Sequence, residues 1–426
     1  MNSTRLGRNW CNSRCLAKLQ RFYFCCIFAI LHLLSANAQP YRFINYSANV
    51  IQQPNQAGEG LRHFFLALKQ LESGIKRKVH ILHLGDSHIQ ADFFSGRVRE
   101  LLQLTENFGN GGRGFVFPYA AAGTNNPQNY SVTFQGKWEG IKSSKREAYA
   151  KWGLTGVVAL TKDPHATLTI NPNREHNATF YSITRVKIFY PVFDKNSFNV
   201  TVIAEPAELV SSYVSREGFV EFEFSKPQQE ITIKVVRSEP WQTEFALQGF
   251  SLENDQAGIV YSSAGMNGAD VSCFLRCQDL DRQLRALKPD LVVLSLGAND
   301  AHVVRFNEES FLNNYRFLIG LIKRAYPKAS LLLTTPGDAY RARRYPNPHN
   351  AKVRALILQL AVETGAAVWD FYTVMGGLNS VNQWLRNQLA SPDRLHLTPK
   401  GYVFQGELFY EALMESYRRY WSKIQP

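Results

Sequence analysis

A handful of side chains, scattered along the chain, have the types that ester cleavage requires. Ser87 stands in "VHILHLGDSHIQADFF" (79–94), where an apolar run breaks at Gly-Asp-Ser-His and helix-compatible residues follow. A serine there can cap a helix, or it can be a nucleophile presented at the carboxyl edge of a parallel sheet. A nucleophilic hydroxyl needs a base within hydrogen-bond reach, and the base needs an acceptor on its other nitrogen. Asp393 and His396, three residues apart in the Pro-framed "SPDRLHLTPKGY" (391–402), supply both. One short turn can set the carboxylate beside Nδ1 while Nε2 points at Ser87. A tetrahedral intermediate also needs fixed donors aimed at its oxyanion. The Ser87 N–H, the Gly265 N–H of "SAGMNGAD" (263–270) and the Asn299 amide of "GAND" (297–300) offer three. Gly268 competes with Gly265 for this role, and the spacing within the block favours Gly265. Asn brings a neutral NH2 donor that needs no change of protonation.

Each cluster also has a plainer reading. Ser87 caps a helix, Asp393 and His396 form a structural pair, and Asn299 and Asp300 shape a turn. The elements that carry them decide between the two. "AGIVYSSAG", "DLVVLSLG", "ASLLLTTP" and "AAVWDFY" read as strands, and amphipathic helical stretches separate them, ending in a helix from Pro399 to about Lys423. Strands alternating with helices make a parallel sheet wound right-handedly with helices on both faces. The strand at 79–85 and a helix reaching about 105 belong to the same sheet. All four polar clusters then fall on one carboxyl edge, which favours chemistry.

Between about 124 and 255 the texture differs. "YSVTFQGKWEG", "TRVKIFYPV", "GFVEFEFSKP" and "EITIKVVRS" are short β-rich runs that predict an antiparallel sandwich. Phe108 to Gly123, with five glycines and a proline, predicts a loop. The expected organisation is a signal segment at 1–38, an α/β domain in two parts (39–123 and 256–426), and an all-β insert at 124–255.

Arg5, Arg8, Arg14, Lys18 and Arg21 precede the apolar "FYFCCIFAILHLL" and the small-residue site Ala36-Asn37-Ala38, the pattern of a secretory signal. The apolar run is short for a bilayer span, so the expected mature chain is exported, periplasmic or envelope-associated, without a stable membrane span. An uncleaved anchor is the alternative. Loss of 1–38 removes five basic residues and no acidic one, lowering the net charge from +13 to +8. That excess suits a polyanion, but no RNA motif, zinc-finger spacing or basic helical arm accompanies it, and nucleic acid is not expected as a partner. Of six cysteines only Cys273 and Cys277 remain, in "CFLRC". Two buried thiols are favoured over a bridge, and no metal site is expected.

In these blocks the chain resembles the SGNH (GDSL-type) hydrolases. Ser87, Gly265, Asn299 and His396 match the four blocks in order, and Asp393 completes a DxxH pair. More narrowly it is similar to exported bacterial peptidoglycan O-acetylesterases, which share GDSH, a loop like "FGNGGRG" and a carbohydrate-binding-like β-sandwich. The resemblance implies a flavodoxin-like three-layer α/β fold with an inserted β-sandwich. It also implies acetyl removal from an O-acetylated glycan through an acetyl-enzyme on Ser87, without cofactor. Deacetylation of another polysaccharide, acetyl transfer to a sugar, and a glycan-binding protein without turnover are the competing readings. His88, standing where many relatives have leucine, is either packed or lines the site. Arg341, Arg343 and Arg344 in "RARRYPNPHN", and Arg113 in the glycine-rich stretch, are candidates for holding substrate carboxylates, although a solvated face is the plainer role of the arginine run. Trp138 and Trp152 read as core residues. Trp241 could sit against the α/β part.

Overall fold

The apolar runs read as strands become neighbours in one sheet. Ala367–Trp369, Ser330–Thr334, Leu291–Ser295, Lys78–Gly85, Gly258–Gly265 and Asn110–Val116 lie side by side, each parallel to the next. The computed structural model describes residues 41–424 apart from 55–58, 105–107 and 205–207. The expected signal segment at 1–38 lies outside the described residues. Residues 41–44 form a turn of their own, in which Ile44 N–H donates to the Tyr41 carbonyl at 3.2 Å.

Both faces of the parallel strands are covered, which is why they read as continuous apolar runs rather than as alternation. Leu82, Leu84, Val292 and Leu294 join a core with Phe311, Leu318 and Ile322. On the opposite face the ring of His83 packs edge-on to Phe94, centroids 5.2 Å apart, and stacks on Phe409 at 6.4 Å. The helix Pro399–Ile424 lies against Phe94–Leu104, and Glu308–Ala325 lies against His349–Thr364 and Leu280–Leu287.

The glycine-rich stretch is a strand where a loop was expected. Asn110–Val116 pairs parallel to Gly258–Gly265 on one side and antiparallel to Gly249–Glu253 on the other, with a register shift against each. Its glycines are what allow this. A Cβ at Gly112 (φ +136°) would lie 2.7 Å from Glu253 Cα, and one at Gly114 (φ +74°) 2.7 Å from Ser262 Oγ. Backbones this close exclude side chains, and both positions use conformations glycine adopts without strain. The glycine content that argued for a loop marks a bulged strand squeezed between two neighbours.

From Gly249–Glu253 the sheet continues antiparallel through Ile183–Phe189, Phe219–Gln228 and Leu209–Ser215, so strands of the β-rich segment and of the α/β segment share one sheet of eleven strands. The rest of the β-rich segment forms a four-stranded sheet (Ser131–Gln135, Thr167–Asn171, Ile231–Val236, Asn199–Val202) and a three-stranded one (Phe245–Leu247, Val157–Thr161, Glu139–Lys142). Trp152 is buried here and donates to the Ile141 carbonyl at 3.0 Å. Trp138 is partly buried against the core, and Trp241 is exposed. Cys273 and Cys277 are free, buried thiols. No helix among the described residues is long and apolar enough to cross a membrane.

Candidate active site

The turn after the strand Lys78–Gly85 can only be made with glycine. A Cβ on Gly85 would fall 2.3 Å from Ile89 Cγ1 and 2.8 Å from the Ser295 carbonyl oxygen. Asp86 follows, and its Oδ1 accepts the His88 N–H at 3.0 Å, capping the short helix Ser87–Gln90. The cap of this helix is therefore Asp86 and not Ser87. The Ser87 hydroxyl instead meets His396, with Oγ 3.1 Å from Nε2.

His396 is oriented from the other side by Asp393, whose Oδ2 lies 2.8 Å from Nδ1. Asp393 Oδ1 accepts the N–H groups of Leu395 at 2.9 Å and His396 at 3.0 Å. Burial alone would raise the Asp393 pKa, but the hydrogen bonds from His396 and Leu395 outweigh it and hold the carboxyl below its ordinary value. The loop is closed by Ser391 N–H donating to the His396 carbonyl at 2.8 Å. Between the two, Arg394 takes a left-handed φ of +55°. Both side chains remain partly open to solvent, His396 at 37% and Asp393 at 30%.

Asn299 is delivered by Gly297 (φ +118°), which precedes the short helix Ala298–Ala301. Its Nδ2 donates to the Ala269 carbonyl at 2.9 Å and to Asp86 Oδ2 at 3.2 Å. Asn299, Asp86 and the "GMNGAD" loop are thus tied together beside Ser87. Within that loop the two glycines differ. Gly265 is buried, its N–H donates to the Tyr119 hydroxyl at 3.3 Å, and a Cβ there would sit 2.2 Å from Gln90 N. Gly268 is exposed, has φ +77°, and faces open space. The expectation that Gly265 offers the free donor does not fit: its amide is engaged within the core, and Gly268 stands on the accessible side.

His88 lies against this site. Its ring is 5.3 Å from that of His396, and its Nδ1 lies 2.7 Å from the Tyr402 hydroxyl. Burial lowers its pKa. Arg113 is elsewhere. Its side chain is 1% exposed and its Nη2 pairs with Asp92 Oδ2 at 2.6 Å, so it cannot form a rim around Ser87. Arg341, Arg343 and Arg344 sit on a short hairpin, Tyr340–Arg341 with Tyr345–Pro346, where Arg343 and Arg344 are exposed. The hairpin is fastened to the Asp393–His396 loop: Tyr340 N–H donates to the Arg394 carbonyl at 2.8 Å, and Arg394 Nη1 donates to the Arg343 carbonyl at 3.2 Å. None of the three arginines forms an ion pair with another described residue.

Sequence reasoning gave no role to Tyr402, Tyr119 or His83. Tyr402 lies six residues beyond His396, close enough that the helical turn starting at Pro399 could have flagged it. Tyr119 carried no signal. His83 is buried beneath the strand end, between the Tyr261 hydroxyl at 2.8 Å and Ser295 Oγ at 2.6 Å, and burial drives its pKa down to about 3. Among the described residues, no group of three or more His, Cys, Asp or Glu side chains could hold a metal ion.

Residues 239–404 match the family of GDSL-like lipases and acylhydrolases, a span that holds Gly265, Asn299, Asp393 and His396 but not Ser87. Among solved structures, a peptidoglycan O-acetylesterase is similar over 87% of this chain and 99% of its own, at 22% identity and a TM-score of 0.72. A lipase/acylhydrolase from Enterococcus faecalis is similar over 37% of this chain and 76% of its own, at 25% identity and a TM-score of 0.30. An acetyl xylan esterase is similar over 37% of this chain and 82% of its own, at 22% identity and a TM-score of 0.30. No curated protein matches the sequence. The chain resembles the SGNH hydrolases, and its fold is theirs: a mainly parallel sheet with helices, extended by further β-sheets.

Proposed function

We propose that this chain, an SGNH-type hydrolase by fold, is an exported serine esterase that removes O-acetyl groups from a cell-wall glycan, peptidoglycan first among them. The observation that carries the reading is the relay from Ser87 Oγ to His396 Nε2 (3.1 Å) and from His396 Nδ1 to Asp393 (2.8 Å), set on the carboxyl edge of a parallel sheet. In the first step His396 takes the hydroxyl proton as Ser87 Oγ bonds to the acetyl carbon. His396 then returns the proton to the departing sugar oxygen. In the second step a water gives its proton to His396 and its oxygen to the acetyl carbon, and acetate leaves as Ser87 recovers its proton. Asp393, held ionised, supports the imidazolium formed in each step.

The oxyanion would be met by the N–H groups of Ser87 and Gly268 and by Asn299 Nδ2, which would share the hydrogen now on Asp86 at 3.2 Å, the longer of its two contacts.

The test compares acetate release from O-acetylated peptidoglycan and from acetylated xylan, using the wild type and Ser87→Ala of equal thermal stability. Release from peptidoglycan, abolished in the variant, is expected. Release from xylan alone would move the substrate to another glycan. Equal signals from both proteins would end the esterase reading.

A further inference from the structure

Behind the nucleophile-bearing helix lies a cleft that the reaction above does not use. It has a volume of about 230 Å³ and is formed between the start of the helix Phe94–Leu104 and residues 128–129 and 176–181 of the β-rich segment. Its floor is a buried cluster of two guanidiniums on one carboxylate. Arg99 Nη2 reaches Asp92 Oδ2 at 2.8 Å and Arg113 Nη2 reaches the same oxygen at 2.6 Å, all three side chains being 3% exposed or less. The cluster therefore carries a net positive charge out of water, and charges so placed call for a counter-charge.

The remaining capacity of the floor is unmet. Arg113 Nε and Nη1, and the buried Thr179 hydroxyl, have no hydrogen-bond partner among the described residues, and both side chains line the cleft. Buried donors without acceptors cost stability, so a site that keeps several together is shaped for something that accepts. The wall opposite is held open by Gly96, inside the helix, where glycine costs about 1 kcal/mol relative to alanine. A Cβ at Gly96 would press to 3.1 Å from Asn129 Nδ2 and 3.4 Å from Arg99 Nη2, directly over the cluster.

A run of packed rings links the cleft to the reacting groups. Phe93, on its wall, stacks on Tyr402 with ring centroids 6.3 Å apart; Tyr402 lies 5.7 Å from His88, and His88 lies 5.3 Å from His396. We propose that this cleft is a subsite for a carboxylate carried by the glycan substrate, held by Arg113 and Thr179 over the Arg99–Asp92 pair. This deepens the esterase reading and rests on it for the substrate class: the enzyme would choose acetylated sugars that bear an acid, such as a lactyl or peptide carboxylate. A planar guanidinium face suits a carboxylate well.

The experiment measures binding without turnover, so that it stands apart from the esterase assay. N-acetylmuramic acid, N-acetylglucosamine and acetate are titrated into Ser87→Ala protein, alone and with Gly96→Ala or Thr179→Val added. The acid sugar is expected to bind about tenfold or more tightly than the neutral one, with salt weakening it. Gly96→Ala, which fills the cleft while favouring the helix, and Thr179→Val, which removes an unpartnered hydroxyl, should each weaken the acid sugar several-fold without lowering Tm. A merely structural cleft would give higher Tm and unchanged binding. Equal or absent binding of the two sugars, unchanged binding in both variants, or acetate binding as tightly as the acid sugar would each overturn the proposal.

Discussion

The Tyr402 hydroxyl lies 2.7 Å from His88 Nδ1, a hydrogen bond that fixes the orientation of the histidine ring beside Ser87. Burial pushes the Tyr402 pKa up and that of His88 down. Tyr402→Phe leaves His88 without this hydrogen bond. A loss of roughly 1 kcal/mol, or about fivefold in kcat/KM, is expected, the size of one neutral hydrogen bond, with no change in the shape of the pH profile. Steady-state rates on an aryl acetate from pH 5 to 9 check this.

Asp393 makes a different contribution, because it touches the base itself. Asp393→Asn keeps an Oδ1 acceptor for the N–H groups of Leu395 and His396 but lets the imidazole adopt the wrong tautomer. The expected fall in kcat is about 10²- to 10⁴-fold with little change in Tm. A fall of less than tenfold would show that His396 is oriented by something else.

The two loop glycines separate fold from chemistry. Gly265→Ala drives a Cβ into Gln90 N at 2.2 Å and should abolish soluble, folded protein. Gly268→Ala meets open space and carries only the strain of a positive φ, on the order of 1 kcal/mol. It should fold, yet lose kcat more than KM on an acetyl ester. Equal kcat in Gly268→Ala and the wild type would remove Gly268 from the oxyanion donors.

Much of this site could be read from residue types. Ser87, Asn299 and the Asp393–His396 pair follow an alternation of strand and helix strong enough to put them on one edge. What could not be read were relationships set by packing between distant segments. Spacing in the sequence favours Gly265 over Gly268, and only the placement of Tyr119 and Gln90 reverses that order. Arg113 looked like a loop arginine because its glycines looked like a loop; once Asn110–Val116 is wedged between two strands, its side chain is forced inward onto Asp92. The β-rich segment was legible as strands, but its membership in the main sheet depends on pairings such as Phe250 with Val116, which alternation does not encode.

Stability should carry a signature of Asp300. Burial, with the Asp270 carboxylate nearby, pushes its pKa up to about 7. The folded state then holds a proton that the unfolded chain has already released, so this group's contribution is full below about pH 4 and is lost as pH rises toward 7. Asp300→Asn keeps an acceptor for the Val271 N–H and cannot ionise. It should match the wild type near pH 4 and exceed it at pH 8 by roughly 1–3 kcal/mol. Urea unfolding at the two pH values measures the difference.

Cys273 and Cys277 should be silent toward reagents. Both are buried, and burial pushes the Cys273 thiol up to about 12 and that of Cys277 higher still. At pH 8 a thiol-specific dye should label neither in the native protein and both once it is unfolded. Immediate labelling of one thiol would place it on an accessible surface.

The position of the strand Lys78–Gly85 has a consequence for how the chain comes together. Its two neighbours in the sheet, Gly258–Gly265 and Leu291–Ser295, both come after the whole β-rich segment. As the polypeptide emerges from the ribosome, the strand that ends at Ser87 must wait for well over a hundred residues before either flank exists. A fragment stopping at 255 would have nothing to zip against on either side of that strand, and contacts of such long sequence separation form slowly. The serine acquires its partner histidine, 309 residues further along, only after both flanks of its strand have been made.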